Sequence, residues 1–297
     1  MLKRVLSLDI FMLAAAKLLL DEPLDTLDAA CRHVDDHQPS KRNCSKPLIV
    51  STTCVESWPT ERSHLTQTAI ECPGDRLGNC TEFRVKWCNN SVYPAKGGCY
   101  RSEYAAVDLM NYSEYWFGFS LFLPSDYAVD VDSIAFQIHG VPNKDVDEAY
   151  RNPMFALEHQ SSSGHWLARA RGDPRRNITY HNRTYKWDNL TDVGAARLGE
   201  WEHWVYHTRY SFAADGFVEL WRNGERVVQW NQTGTAYNDE KGPYFKLGIY
   251  SWTWGKRPGP PLANASTNVV IYGGFKQGDR ESSYEEVDTS RGEGGLG

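Results

Sequence analysis

The sequence predicts an all-β sandwich of two antiparallel sheets. From about Pro47 onward, short runs of β-branched and aromatic residues recur at regular spacing, divided by Gly, Pro and Asn. Helical periodicity is scarce past residue 50. Of the 297 residues 41% are hydrophobic and 13% aromatic, with 11 Trp and 16 Tyr, enough for one sizeable core built from side chains that pack well on a pleated surface.

Taken in order, residues 1–20 start basic and turn apolar, but Asp9 and Lys17 interrupt the run. They read as a signal peptide or signal anchor, and their longest apolar piece is too short to span a bilayer. Residues 21–46 are charged and read as a linker or propeptide. Residues 47–278 form the β domain, with a Cys-rich N-terminal part. Its strands are "LIVSTT", "EFRVKW", "CYRSEY", "YWFGFSLFL", "IAFQIHG", "MFALEH", "HWLARAR", "WEHWVYHTRYSF", "GFVELWRNGERVVQW", "YFKLGIYSWTW" and "NVVIYGGFK". Asn223–Gly224, between two alternating runs, predicts a type I′ hairpin. Gly172–Asn189 is basic through Arg175, Arg176, Arg183 and Lys186 and reads as a loop over a groove. Residues 279–297, rich in Glu, Ser and Gly, read as a disordered tail.

All seven cysteines fall between Cys31 and Cys99, and none forms a CxxC pair. That argues against a zinc ribbon and points to disulfides pinning an irregular region. N-x-S/T sequons begin at Asn43, Asn79, Asn89, Asn111, Asn177, Asn182, Asn189, Asn231 and Asn264, where composition alone would give about two. Together they predict a secreted, extracellular glycoprotein. The net charge of −6 argues against nucleic acid as a partner. No further apolar segment suggests a membrane span, and a monomer is expected.

Alternate strand residues face opposite sides of a sheet, so the polar strands sort into two sets. In "IAFQIHG", Ile134, Phe136 and Ile138 form a core face, leaving Gln137 and His139 together on the other. By the same period Arg101 pairs with Glu103, and Arg169 with Arg171. Lys246, Gly248, Tyr250, Trp252 and Trp254 share the face opposite Phe245, Leu247 and Ile249. A sheet face assembled from these residues is cationic and aromatic within an acidic protein, which suits an acidic polysaccharide: cations meet carboxylates, and ring faces stack on sugars. The alternative for each is structural. His139 would bond a loop carbonyl, Lys246 would face solvent, and Arg101 with Glu103 would form an internal ion pair.

Five pieces, "RSEY", "YWFGFSLFLPSDY", "FQIHG", "GEWEHWVYHTRYSFAADGFVELWRNGE" and "YFKLGIY", occur in an order that resembles the β-jelly-roll polysaccharide lyases, the heparin lyase I-like and glucuronan lyase-like group. The resemblance spans about Cys99 to Gly274. It implies a concanavalin-like jelly roll with a concave substrate groove, and β-elimination at a uronic acid that leaves a 4,5-unsaturated end. It implies His139, Tyr250, Gln137, Lys246 and Arg101 as catalytic, with Glu103, Arg169, Arg171, Trp252 and Trp254 contacting substrate. His139 suits the base and Tyr250 the acid. The reverse, or one tyrosine in both roles, fits the same chemistry. No cofactor is needed for the reaction, and a structural calcium ion is implied by resemblance alone. The substrate would be glucuronan, alginate or a glycosaminoglycan-like polymer, with an unsulfated uronan favoured by the moderate basic character. Two rivals use the same sandwich: a non-catalytic lectin, and a glycoside hydrolase, which needs two carboxylates facing across the groove.

Overall fold

Strands β1 (Leu6–Ser7), β2 (Leu48–Thr52), β3 (Leu65–Glu71), β4 (Asn79–Lys86), β5 (Tyr100–Ala105), β6 (Glu114–Phe122), β7 (Ser133–Val141), β8 (Phe155–Gln160), β9 (His165–Gly172), β10 (Trp187–Ala195), β11 (Trp201–Arg209), β12 (Gly216–Arg222), β13 (Glu225–Thr233), β14 (Lys241–Ser251) and β15 (Thr267–Asp279) precede a short helix α1 (Tyr284–Val287). They come from a computed structural model that describes residues 6–7, 48–52, 65–74, 79–86, 100–106, 110–179, 184–253 and 267–290. One sheet runs β13-β12-β11-β6-β15-β4-β3, with β1 beside β15, and the other runs β10-β9-β8-β7-β14-β5-β2. Every strand pairing is antiparallel. The result is the expected jelly-roll sandwich.

The core lies between the sheets, where alternate residues of each strand meet. Phe117, Phe119 and Leu121 of β6 pack toward Phe136 of β7, with Phe119 and Phe136 ring centroids 5.0 Å apart. Phe245 of β14 stacks on Phe275 of β15 at 4.8 Å. Each fully buried side chain of this size contributes roughly 1.5–3 kcal/mol. Because the core takes one residue in two, the residues between them on β5, β7, β8, β9 and β14 must face outward from the second sheet. That constraint builds the site described below.

The Asn223–Gly224 turn has both residues at positive φ, 51° and 85°, as a type I′ hairpin requires. Three features differ from the sequence reading. Strands β3 and β10 were not expected, and the end of the supposed 172–189 loop is the start of β10. Both are edge strands, and β10 (WDNLTDVGA) has few buried positions, so its apolar alternation is faint. Residues 279–290, assigned to a disordered tail, are instead strapped across the outer face of the first sheet. Ser283 and Glu286 form a capping box that starts α1, Val287 is fully buried, and Ser120 Oγ lies 2.7 Å from Thr289 Oγ1. Gly118 provides the bed, since a Cβ there would collide with the Val287 carbonyl. Val287 is the apolar anchor that composition concealed.

Cys72 and Cys80 form a disulfide across the β3–β4 hairpin. The other five cysteines, residues 21–46, most of residues 1–20, and the sequons at Asn43, Asn89, Asn182 and Asn264 lie outside the described residues. Among the described residues no helix is long and apolar enough to cross a membrane.

Candidate active site

Register brings the predicted residues onto one face of the second sheet. Gln137 of β7 sits opposite Lys246 of β14, and His139 opposite Tyr244. On the other flank of β14, Tyr250 sits opposite Arg101 and Gly248 opposite Glu103. Gly248 makes the last pairing possible. Its φ is +144°, and a Cβ would lie 2.7 Å from Glu103 Cα and collide with the Ser102 carbonyl. A glycine is thus required between the lysine and the tyrosine of the K-x-G-x-Y strand.

Arg101, Glu103, Gln137, His139 and Lys246 are all buried, and Lys246 is only 3% exposed, which rules out the solvent-facing alternative for the lysine. The Gln137 amide donates to Glu103 Oε1. Arg101 Nε lies 3.9 Å from the other Glu103 oxygen, so the internal pair expected from the R-x-E spacing forms. The Arg101 guanidinium also lies 4.4 Å over the Tyr250 ring, and the Lys246 ammonium 5.7 Å from the Tyr244 ring. Desolvated cations on aromatic faces are stabilised by the ring quadrupole.

His139 is strongly perturbed. Burial, then the charge of Lys246, with smaller effects of Arg101 and Arg171, hold its pKa well below the usual imidazole value. It is therefore neutral at neutral pH, with a lone pair on one ring nitrogen. Its Nε2 lies 2.8 Å from the Tyr150 hydroxyl, and its Nδ1 lies 3.4 Å from the Gly140 carbonyl. The rings of Tyr150 and Tyr244 stack against it at 4.8 and 5.8 Å.

Arg169 and Arg171 point from β9 onto the same face, but each meets a carboxylate. Arg169 binds Asp188 of β10 through two bonds of 2.7 and 2.6 Å. Arg171 is buried, 3.6 Å from Glu158 and 3.7 Å from Asp188. The face is therefore less cationic than the arginine count implies. Trp252 follows the end of β14 in a turn rather than continuing the strand, with its ring 6.0 Å from that of Tyr250. Trp254 lies outside the described residues.

Tyr150, Tyr244, Glu158 and Asp188 escaped the sequence reading. Tyr244 was accessible to it, being two residues before Lys246 on the same alternating strand. Glu158 and Asp188 acquire meaning only through cross-strand pairing. Tyr150 lies between β7 and β8, where no period predicts direction. Its neighbours fix the segment: Arg151 donates to Glu148, and Glu148 also accepts from the Asn143 backbone at 2.8 Å. Nearby Asp239 is buried beside Glu148, and burial followed by that carboxylate raises its pKa to about 7. Among the described residues no group of three or more His, Cys, Asp or Glu side chains converges to hold a metal ion. The implied calcium ion thus finds no acidic cage there.

Three comparisons bear on this arrangement. The polysaccharide lyase family model matches residues 65–276. The endo-β-1,4-glucuronan lyase of the fungus Trichoderma reesei superposes with a TM-score of 0.61 at 15% identity, covering 81% of this chain and 98% of that one. At that identity the likeness is one of fold. Alginate lyase vAL-1 from a Chlorella virus matches with a TM-score of 0.46 at 13% identity, over 72% of this chain and 89% of that one. Alginate lyase PA1167 from Pseudomonas aeruginosa gives 0.44 at 14%, over 74% and 87%. No curated protein matches the chain in sequence.

Proposed function

The chain belongs to the polysaccharide lyase family, and from that premise we propose that it cleaves a uronic-acid polymer internally by β-elimination, leaving a 4,5-unsaturated uronate at the new non-reducing end. The observation that carries this reading is a neutral, buried His139 beside the buried cations Lys246 and Arg101 on one sheet face.

The chemistry asks for that combination. The proton at C5 is a poor acid because its loss adds charge next to a carboxylate. Cations and amide donors that meet the carboxylate lower this cost by stabilising the enolate-like intermediate. Lys246, Arg101 and Gln137 take this part, and the Glu103 bond to Gln137 fixes the amide's orientation. His139 is the base. A bound carboxylate offsets the charges of Lys246 and Arg101, so substrate binding itself raises the imidazole's proton affinity. Tyr250 protonates the departing O4, and the Arg101 guanidinium over its ring stabilises the phenolate it leaves.

An unsulfated uronan is the favoured substrate class. Arg169 and Arg171 already face Asp188 and Glu158, leaving less positive charge for sulfate groups. Secretion and glycosylation belong to the same reading, supported by sequon asparagines 111, 177 and 231 on the exposed surface and by the Cys72–Cys80 bond.

The test is to incubate the protein with glucuronan, alginate, pectic polymers and heparan sulfate while following the ultraviolet absorbance of the unsaturated product. New reducing ends without that absorbance would mean hydrolysis, and binding without new ends would mean a lectin; either sinks the proposal. In the same assay His139→Ala and Tyr250→Phe should each lose about 10²–10⁴-fold in kcat while keeping wild-type far-ultraviolet circular dichroism.

A further inference from the structure

His139 is nearly sealed from solvent at 5% exposure, whereas Tyr150, stacked on it, is only partly buried. A neutral imidazole has one N–H and one lone pair. The Gly140 carbonyl near Nδ1 can only accept, so the proton belongs on Nδ1, and Nε2 accepts from the Tyr150 O–H at 2.8 Å. The lone pair that a base needs is thus already engaged by the phenol of a partly exposed residue.

That phenol is held in place. The following residue, Arg151, donates to Glu148, reaches the Arg175 carbonyl at 2.9 Å and stacks 4.5 Å over the Tyr237 ring. The preceding residue, Ala149, bonds through its backbone N–H to the Ile178 carbonyl at 2.8 Å. An ion pair and two cross-loop bonds on either side of Tyr150 restrain its hydroxyl from swinging away to free Nε2.

We propose that Tyr150 is a catalytic residue that relays the proton between substrate and His139, a role that rests on the lyase reading above. Its oxygen takes the C5 proton as its own proton passes to Nε2. The C5–H electron pair becomes the C4=C5 double bond, the C4–O4 bond breaks, and O4 takes a proton from Tyr250. The cycle closes when His139 returns its proton through Tyr150 to solvent and Tyr250 regains one from water.

The experiment uses Tyr150→Phe, which keeps the ring stack and removes only the hydroxyl. On the uronan that wild type cleaves, kcat should fall by about 10²–10⁴-fold, with the melting temperature little changed. The Tyr150→Phe/His139→Ala double variant should be no slower than the slower single variant, because two members of one relay act as a unit. Imidazole ¹⁵N spectra of the substrate-free protein should show His139 protonated at Nδ1 with Nε2 as an acceptor, and that acceptor signature should vanish in Tyr150→Phe. A variant that turns over within a few-fold of wild type, losses that multiply in the double variant, or a His139 proton found on Nε2 would each overturn the relay while leaving the lyase reading intact. If wild type makes no unsaturated ends from any uronan, the lyase reading falls and takes the relay with it.

Discussion

A histidine surrounded by cations carries a pH signature. As a base His139 must be neutral, and burial with Lys246 depresses its pKa below 6.5. The acid limb of the kcat/KM profile, which reports the substrate-free enzyme, should therefore fall well below pH 6.5. Lys246→Met should move that limb upward while cutting kcat about 10²-fold or more. A pH series on both proteins checks this, and an unmoved limb would mean another group sets it. The same shift affects folding. An unfolded chain protonates this histidine near pH 6.5 and the folded one does so only at lower pH, so its contribution to stability is lost as pH falls below about 6.5. Asp239 acts in the opposite sense: raised from 3.8 to about 7, it favours the folded state at low pH, and that advantage is lost as pH rises through 7. At this scale the sequence placed Gln137, His139, Lys246, Arg101 and Glu103 on one sheet face, as the register has them, because a two-residue period against a greasy core assigns direction. It could not reveal Tyr150, whose position depends on the Glu148–Arg151 pair and not on any repeat.

Among elements, β14 packs closely against β5. Gly248 lets β5 approach closely enough for Glu103 to reach Gln137. Gly248→Ala should cost about 3 kcal/mol or more, through both steric overlap and the left-handed φ, and should reduce activity more than stability alone explains, because Tyr250 lies two residues beyond. Urea melts and kcat on the folded fraction check this; a variant with wild-type stability would mean the strands are not so closely paired. Strands with a strong apolar stripe were legible, including the hairpin at Asn223–Gly224. The edge strands β3 and β10 were not; β10, with few buried positions, lacks the alternation that signals a strand. Missing β10 also meant missing Asp188, and with it the reason why Arg169 and Arg171 are less available than their spacing suggested.

At the scale of the whole molecule, composition indicated an all-β chain but not how it ends. A run rich in Glu, Ser and Gly carries little apolar content, yet buried Val287 anchors the strap, helped by the Ser120–Thr289 contact and by Lys276 reaching the Asp288 carbonyl at 3.0 Å. Ending the chain at Asp279 removes that burial, worth about 1.5–3 kcal/mol, and should lower the melting temperature by roughly 5–10 °C with kcat nearly unchanged. Calorimetry of the shortened protein checks this, and an unshifted midpoint would show the strap contributes nothing.

The strap also determines which way the protein would face if tethered. It crosses the outer side of the first sheet, while His139 and its neighbours open from the outer side of the second. A bead, tag or surface coupled at Ser290 therefore sits at the back of the sandwich. A long polymer would still reach the front, which makes Ser290 a natural point for immobilising this protein.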